Sequence, residues 1–343
     1  MNSSVHNKNK CRIIVDAMGG DFAPQVAVEG AILASRENIS IDVYLVGQKT
    51  EILKVLNEKK LKFDEDKIIH ASQVIEMGDA AATSLKSKPD SSIVVGCQYV
   101  KDSKADAFVS AGNTGAMMTA STLIIGRVPG VGRPTIGAEF PNTKGKCYLY
   151  DVGAGKDAKP RHLFEYAVMG AIYANVMEGI SNPTVGLLSM GEEESKGNEV
   201  TLAAYQMFKN SDLNFIGNVE GRDIMNGNVN VVVCDGFVGN IILKFGESVP
   251  KLLKHLLQET AKKSFFDKLK IGLSKGSLRK SLKSLDYQEK GGVPLLGVNG
   301  ISIIGHGSST AKAIKNMVFK AAEMHEHQLV KKIENSLKNY KSN

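Results

Sequence analysis

The chain has 343 residues, is 43% hydrophobic and 23% charged, and carries a formal charge of +7. That balance fits an ordinary soluble globular protein, and the length allows a large core as one big α/β domain or two smaller ones. Cys11, Cys97, Cys147 and Cys234 lie far apart with no CxxC pair, which argues against a zinc site or a disulfide framework and fits a reducing cytoplasm.

Residues 1–10, MNSSVHNKNK, lack the apolar core of a signal peptide and read as a flexible tail. From there, β-rich runs alternate with helical patterns. Strands are expected at 12–16, 41–46, 67–70, 107–110, 146–151, 184–189, 214–217, 230–234 and 301–304. Most are separated by ten or more residues with helical spacing, as at 24–36 and 160–177. Such alternation predicts a doubly wound, largely parallel sheet covered on both faces, as one domain over residues 11–335. The uncharged run 107–126 approaches the length of a membrane span. It holds Ser110, Asn113, Thr114, Thr119, Ser121 and Thr122 besides glycines, so a buried strand and helix are expected instead.

Residues 245–290 break the rhythm. Leu252, Leu253, Leu256 and Leu257 share one helical face, as do Phe265, Phe266, Leu269 and Leu273, with lysines between them. Ten Lys or Arg from Ser248 to Lys283 face only Glu259 and Asp267, so the chain's basic character is concentrated here. A pair of basic amphipathic helices inserted at 246–290 is expected. Lysines such as Lys262 and Lys263 opposite Leu and Phe suit an anionic membrane or an acidic protein partner equally. With no Trp, and only Phe265, Phe266 and Tyr287 to stack, nucleic acid is a poor partner.

In open α/β sheets ligands gather outside the carboxyl ends of the strands. Those ends carry Asp16-Ala17-Met18-Gly19-Gly20-Asp21, Ser110-Ala111-Gly112-Asn113-Thr114-Gly115, the turn from Gly191 to Glu199, Asp235-Gly236-Phe237-Val238-Gly239-Asn240, and Gly305-His306-Gly307-Ser308-Ser309. A helix N-terminus after such a turn offers unpaired amides and a positive dipole end, and glycine lets a ligand approach the backbone. Asn113, Lys196, Asn240 and His306 add polar side chains, so a cleft with room for phosphate is expected. Plainer roles compete. Asn113 or Thr114 suits a helix N-cap, Lys196 a surface lysine and His306 a core histidine. Glu192, Glu193 and Glu194 point in different directions, as solvated acids do.

Two motifs mislead. Gly153-Ala154-Gly155-Lys156-Asp157-Ala158 fits GxGxxA, but the next strand ends too far on for the acidic partner of a dinucleotide site. Gly272-Leu273-Ser274-Lys275-Gly276 fits GxSxG, with Asp286 and His306 following in hydrolase order, but it lies in the basic helical segment rather than between strand and helix.

With these turns in view, the chain resembles the bacterial acyl-ACP:phosphate acyltransferases of phospholipid synthesis. The resemblance runs from about residue 12 to about 329 and rests on the Asp16 and Ser110 turns, Asp151-Val152-Gly153-Ala154, Glu193-x-x-Lys196-Gly197-Asn198-Glu199, the run from Asn214 to Glu220, the Asp235 turn and His306-Gly307-Ser308-Ser309. It implies a three-layer α/β/α sandwich of the phosphate acetyltransferase and isocitrate dehydrogenase type, extended by the inserted helices. The implied activity moves a long acyl chain from acyl carrier protein to inorganic phosphate, giving acyl phosphate for glycerol-3-phosphate acylation, with neither metal nor nucleotide. The implied protein is a cytoplasmic homodimer in peripheral contact with the membrane, where the glycerol-3-phosphate acyltransferase is a partner.

Three departures stand out: Gly155 where the family usually has Asn, the 85–92 segment LKSKPDSS where an Arg and paired lysines are usual, and Lys290 where a tyrosine usually precedes Gly291 and Gly292.

Phosphate is then the nucleophile, and the enzyme must hold it beside a thioester and stabilise the tetrahedral oxyanion. Gly112, Asn113, Thr114, Gly115, Ser308 and Lys196 are assigned to phosphate. Asn240 or His306 donates toward the thioester oxygen or the leaving thiolate, while Asp16, Gly19, Gly20 and Asp235 support the turns. Leu252, Leu256, Phe265, Phe266, Lys262 and Lys263 are assigned to membrane or carrier contact. Competing readings are a short-chain phosphate acyltransferase using acyl-CoA, an NAD-dependent hydroxyacid dehydrogenase on the same fold, and a membrane-docked scaffold.

Overall fold

Ile13, Ile14 and Val15 are all fully buried, although successive side chains of a strand point to opposite faces. The sheet they belong to is therefore covered on both sides. The computed structural model describes residues 10–281 and 291–340. Its strands are β1 (Cys11–Asp16), β2 (Ile41–Gly47), β3 (Ile68–His70), β4 (Ala107–Ser110), β5 (Thr135–Asn142), β6 (Gly145–Tyr150), β7 (Val185–Leu188), β8 (Phe215–Val219), β9 (Val231–Val233), β10 (Val293–Leu296) and β11 (Ile301–Ile304).

These residues form two compact units, 10–128 with 291–330 and 129–281 with 331–340. In the first, β1 pairs in parallel with β2 and β4, β2 with β3, and β4 with β11, while β10 joins β11 antiparallel. Helices Gln25–Glu37 and Ala311–Glu326 pack on each other, and helix Ser92–Lys101 lies against β1, β2 and β4. In the second unit β6 pairs in parallel with β9, and β7 with β9 and β8, while β5 joins β6 antiparallel. Helix Pro160–Glu178 covers β6 and β9. Rings of Phe164, Phe208, Phe215, Tyr205 and Tyr340 meet edge to face beside it.

All nine strands expected from the sequence form, each within two residues of the expected bounds. β5 and β10 are the additions, and they carry the antiparallel pairings. The basic segment also differs from expectation. Its first helix, Gly236–Lys263, starts in the Asp235 turn itself and runs 28 residues with Pro250 inside, about 42 Å at the usual rise. A second helix, Phe265–Ser281, follows. Asp286, Tyr287 and Lys290 lie outside the described residues.

Ile241, Phe245, Val249, Leu252 and Leu256 recur at helical spacing along the first of these helices and are exposed, as are Phe265, Phe266, Leu269 and Leu273 on the second. Lys262 and Lys263 are exposed at their junction. Among the described residues no helix is long and apolar enough to cross a membrane.

Candidate active site

β1, β4 and β11 lie side by side and parallel, so their carboxyl ends deliver three turns to one rim of the first unit. Asp16, buried at the end of β1, organises it. Its carboxylate accepts from Ser110 Oγ at 2.6 Å and from the Met18 amide at 3.0 Å. Ser110 Oγ in turn accepts from the Gly112 amide at 3.0 Å. Gly19 fits this knot because it has no side chain: a Cβ there would lie 2.7 Å from Asp16 Oδ2, Ser110 Oγ and the Gly112 nitrogen. Gly20 adopts φ +110, and the next residue, Asp21, donates its amide to the Gly307 carbonyl at 2.7 Å. Burial pushes the Asp16 carboxyl above the ordinary carboxylate range, while hydrogen bonds from Ser110, Ser92, Met18 and Gly19 pull the other way.

Asn113 is also spoken for. Its Oδ1 caps helix Thr114–Ala120 by accepting from the Ala116 amide at 3.0 Å. Its Nδ2 reaches the carbonyls of Glu76, Met77 and Asp79 at 3.0, 3.1 and 3.0 Å. Two N–H bonds shared by three carbonyls leave the side chain no donor for a substrate. The turn instead offers backbone: among the described residues no acceptor is hydrogen-bonded to the Thr114 and Gly115 amides. His306 is exposed at the end of β11. Its Nδ1 accepts from the Ser308 amide at 3.2 Å and meets Ser308 Oγ at 2.8 Å. With Nδ1 accepting from that amide, a ring proton sits on Nε2.

The second unit carries Lys196, Asp235 and Asn240. Asp235 caps helix Gly236–Lys263 by accepting from the Phe237 and Val238 amides, both at 2.9 Å. Asn240 is exposed on the first turns of that helix, and its Oδ1 lies 3.5 Å from the position of a Cβ built on Gly153. Lys196 is exposed in the turn that follows β7.

Asp151, which sequence reading quoted but gave no role, is this unit's counterpart of Asp16. It is fully buried after β6 and accepts from the amides of Ile136, Gly153, Ala154 and Gly155 at 3.3, 3.3, 3.0 and 2.9 Å. Burial raises its carboxyl above the ordinary range, opposed by those four amides. The signal was legible: an Asp closing a hydrophobic strand before a glycine turn, as at Asp16.

The same contacts dispose of the GxGxxA match, since the amides a pyrophosphate would need already serve Asp151. Gly155 has its own reason to lack a side chain. A Cβ there would lie 2.4 Å from Arg133 Nη1, and that guanidinium donates to the Asp157 carbonyl at 2.8 Å. In the altered 85–92 segment, Lys88 Nζ donates to Asp79 at 2.6 Å and to the Val74 carbonyl at 2.8 Å. It thereby supports the same stretch that Asn113 holds. Ser274 lies inside helix Phe265–Ser281 and not at a strand-to-helix elbow.

Cys11, Asp106 and His325 bring ligand atoms within 4.8 Å of one another near the start of β1. They make a poor cation site. Arg12 donates to both Asp106 oxygens, at 2.9 and 3.2 Å, and burial pushes the Cys11 thiol up to about 12.

A family model described as fatty acid synthesis protein matches residues 11–332. A phosphate acyltransferase of Pelotomaculum thermopropionicum is 48% identical over 326 residues, 95% of each chain. One of Heliobacterium modesticaldum is 51% identical over 309 residues, covering 89% of this chain and 91% of its own. Among solved structures, a phosphotransacetylase from Streptococcus pyogenes matches with a TM-score of 0.62 at 20% identity, over 92% of this chain and 94% of its own. EutD phosphotransacetylase from Staphylococcus aureus matches at 0.60 and 16% identity over the same shares. At such identities the likeness concerns the fold, an α/β architecture with a largely parallel sheet.

Proposed function

Because the chain belongs to the fatty acid synthesis protein family and, over nearly its whole length, to the phosphate acyltransferases within it, we propose that it transfers a long-chain acyl group from acyl carrier protein to inorganic phosphate. It is an acyltransferase that forms acyl phosphate. The observation that carries the reading of the site is the rim around Asp16. There a buried carboxylate holds glycine turns open, two backbone amides have no acceptor among the described residues, and a histidine stands at the end of the neighbouring strand. Such a rim holds an anion and donates protons, and it needs no nucleophile of its own.

In this mechanism a phosphate oxygen attacks the thioester carbonyl, forming the C–O bond of acyl phosphate. The C–S bond breaks as the tetrahedral oxyanion collapses, and the thiolate leaves and takes up a proton. The Thr114 and Gly115 amides hold phosphate, with Asn113 setting their position. His306 Nε2 serves the oxyanion or the departing sulfur. In the second unit, the sequence puts Lys196 forward as a cation for phosphate and Asn240 as a donor. Positioning and electrostatic stabilisation supply the rate. Incubation with palmitoyl-ACP and labelled phosphate is expected to place label in acyl phosphate. Label appearing only with acyl-CoA would favour the short-chain reading, and NAD reduction would favour the dehydrogenase.

The exposed apolar stripe on helices Gly236–Lys263 and Phe265–Ser281, bordered by lysines, supports peripheral contact with an anionic membrane on the cytoplasmic side. The same faces suit a homodimer. Lys262 and Lys263 suit the acidic surface of acyl carrier protein, and a glycerol-3-phosphate acyltransferase would take the product at the membrane. Changing Leu252, Leu256, Phe265 and Phe266 together to Gln is expected to abolish co-sedimentation with vesicles containing anionic lipid while acyl phosphate formation in solution continues. Unchanged co-sedimentation would rule out the membrane role.

A further inference from the structure

Three consecutive carboxylates, Glu192, Glu193 and Glu194, precede Lys196 closely enough in sequence to cancel its charge. Two of them are drawn away. Glu192 pairs with Arg222 at 3.3 Å, and Glu194 pairs with Lys209 at 3.0 Å and accepts from Gln206 at 2.8 Å. Among the described residues Lys196 makes no ion pair.

The turn that presents Lys196 is held from inside. The Lys196 amide donates to the Glu193 carbonyl at 3.0 Å, closing the turn. Asn218, on β8 and almost wholly buried, spans both ends: its Nδ2 donates to the Glu193 carbonyl at 2.8 Å and to the Lys196 carbonyl at 3.4 Å. Ser189 Oγ, just past β7, donates to the same Lys196 carbonyl at 3.1 Å. β7 and β8 pair with Leu187 opposite Asn218, so the clamp is built into the sheet. Beyond the turn, Gly197 at φ +128 leads into Asn198, which caps helix Glu199–Lys209. Both carbonyls are thus engaged from within the unit, and the Lys196 side chain is left exposed.

Asn218 Oδ1 is buried with no hydrogen-bond partner among the described residues. An apolar side chain of that size would incur no such desolvation cost. The amide does what an apolar residue could not: it holds two carbonyls at once.

We propose that Asn218 is a positioning residue for phosphate, fixing the turn so that the Lys196 ammonium is presented unpaired to the anion while Arg222 and Lys209 keep Glu192 and Glu194 off it. This rests on Lys196 being the phosphate-binding cation, as proposed above.

The test is steady-state kinetics of Asn218→Ala, Lys196→Ala and the double variant, varying phosphate and acyl-ACP separately. Asn218→Ala should raise the KM for phosphate about tenfold, a displaced charge-assisted contact, with kcat and the KM for acyl-ACP held within about twofold. Lys196→Ala should raise it further. The double variant should match Lys196→Ala, because one residue acts through the other.

Losses that multiply in the double variant overturn the proposal, as does an Asn218→Ala enzyme that loses kcat at unchanged phosphate KM. If Lys196→Ala leaves that KM at the wild-type value, the assignment of Lys196 falls and this proposal with it. If Lys196→Ala raises it and Asn218→Ala does not, only this proposal falls. Should Asn218→Ala fail to fold, Ser189→Ala removes one donor to the same carbonyl from a half-buried position. It should raise phosphate KM about threefold, and no change there is equally decisive against the clamp.

Discussion

Replacing His306 by alanine is expected to lower turnover by about 10²–10³-fold, the usual cost of removing one donor from an oxyanion or leaving group. The phosphate KM should move little. The ring is exposed, and its Nδ1 side is taken by the Ser308 amide and hydroxyl, so the mutation removes the imidazole from the rim. As a surface substitution it should change stability by no more than about 0.5 kcal/mol, which thermal unfolding would check alongside the kinetics. His306→Gln keeps a donor and should recover part of the loss. Ser308→Ala removes the hydroxyl contact to His306 Nδ1 and should cost less than His306→Ala. Wild-type turnover in His306→Ala would place the donor elsewhere, with Asn240 next to be tested.

The second large effect is at Asp16. Asp16→Ala leaves Ser110 Oγ and the Met18 amide without their acceptor in the core, an expected loss of about 3 kcal/mol. The rim should lose phosphate affinity as Gly19 and Gly112 shift. Asp16→Asn keeps the shape and removes the charge, which isolates the pH dependence. Burial holds the folded-state pKa of Asp16 above its unfolded value. The folded chain therefore binds this proton more tightly than the unfolded chain does. Its contribution to stability is fully present below the ordinary carboxylate value and is lost as pH rises through the raised one. Wild type should thus lose stability relative to Asp16→Asn as pH rises across that window, measured by urea unfolding at a series of pH values. A difference independent of pH would mean that the carboxylate titrates alike in both states. Asp151 is raised for the same reason and should behave the same way.

The order of strands and the glycine turns between them were legible because buried parallel strands are short apolar runs closed by small residues. β4 and β11 have the bounds that their hydrophobic runs predict. β5 and β10 were hidden because each contains a proline, Pro141 and Pro294, which weakens a strand signal. Both are tolerated in antiparallel pairings, where Pro141 stands opposite Lys146 and Pro294 opposite Ile303.

In the candidate site, the positions of Asn113 and His306 after their strands were readable, but their hydrogen bonds were not. The partners of Asn113 lie 34 to 37 residues away, and no local pattern announces them. What looked like a phosphate ligand is a brace between two loops, and the amides it braces are the better candidates. Asp151 was quoted without a role although its pattern repeats that of Asp16, and Asn218 was passed over because a polar residue in an apolar run shows no purpose until the carbonyls it collects are visible. The start of the long basic helix was misjudged for another reason. The glycines and apolar residues between Asp235 and Phe245 do not resemble the lysine-rich stretch after them, yet they belong to one helix.

That continuity has a geometric consequence. Asn240 and Leu256 stand on the same helix, sixteen residues apart in the numbering, or roughly 24 Å along its axis. Whatever surface takes up the apolar stripe at Leu252 and Leu256 also sets the distance and tilt at which Asn240 is carried. The helix acts as a ruler between the two. Inserting four residues after Leu257 would leave the spacing from Asn240 to Leu256 intact. The same insertion between Asn240 and Ile241 would lengthen the ruler by about one turn.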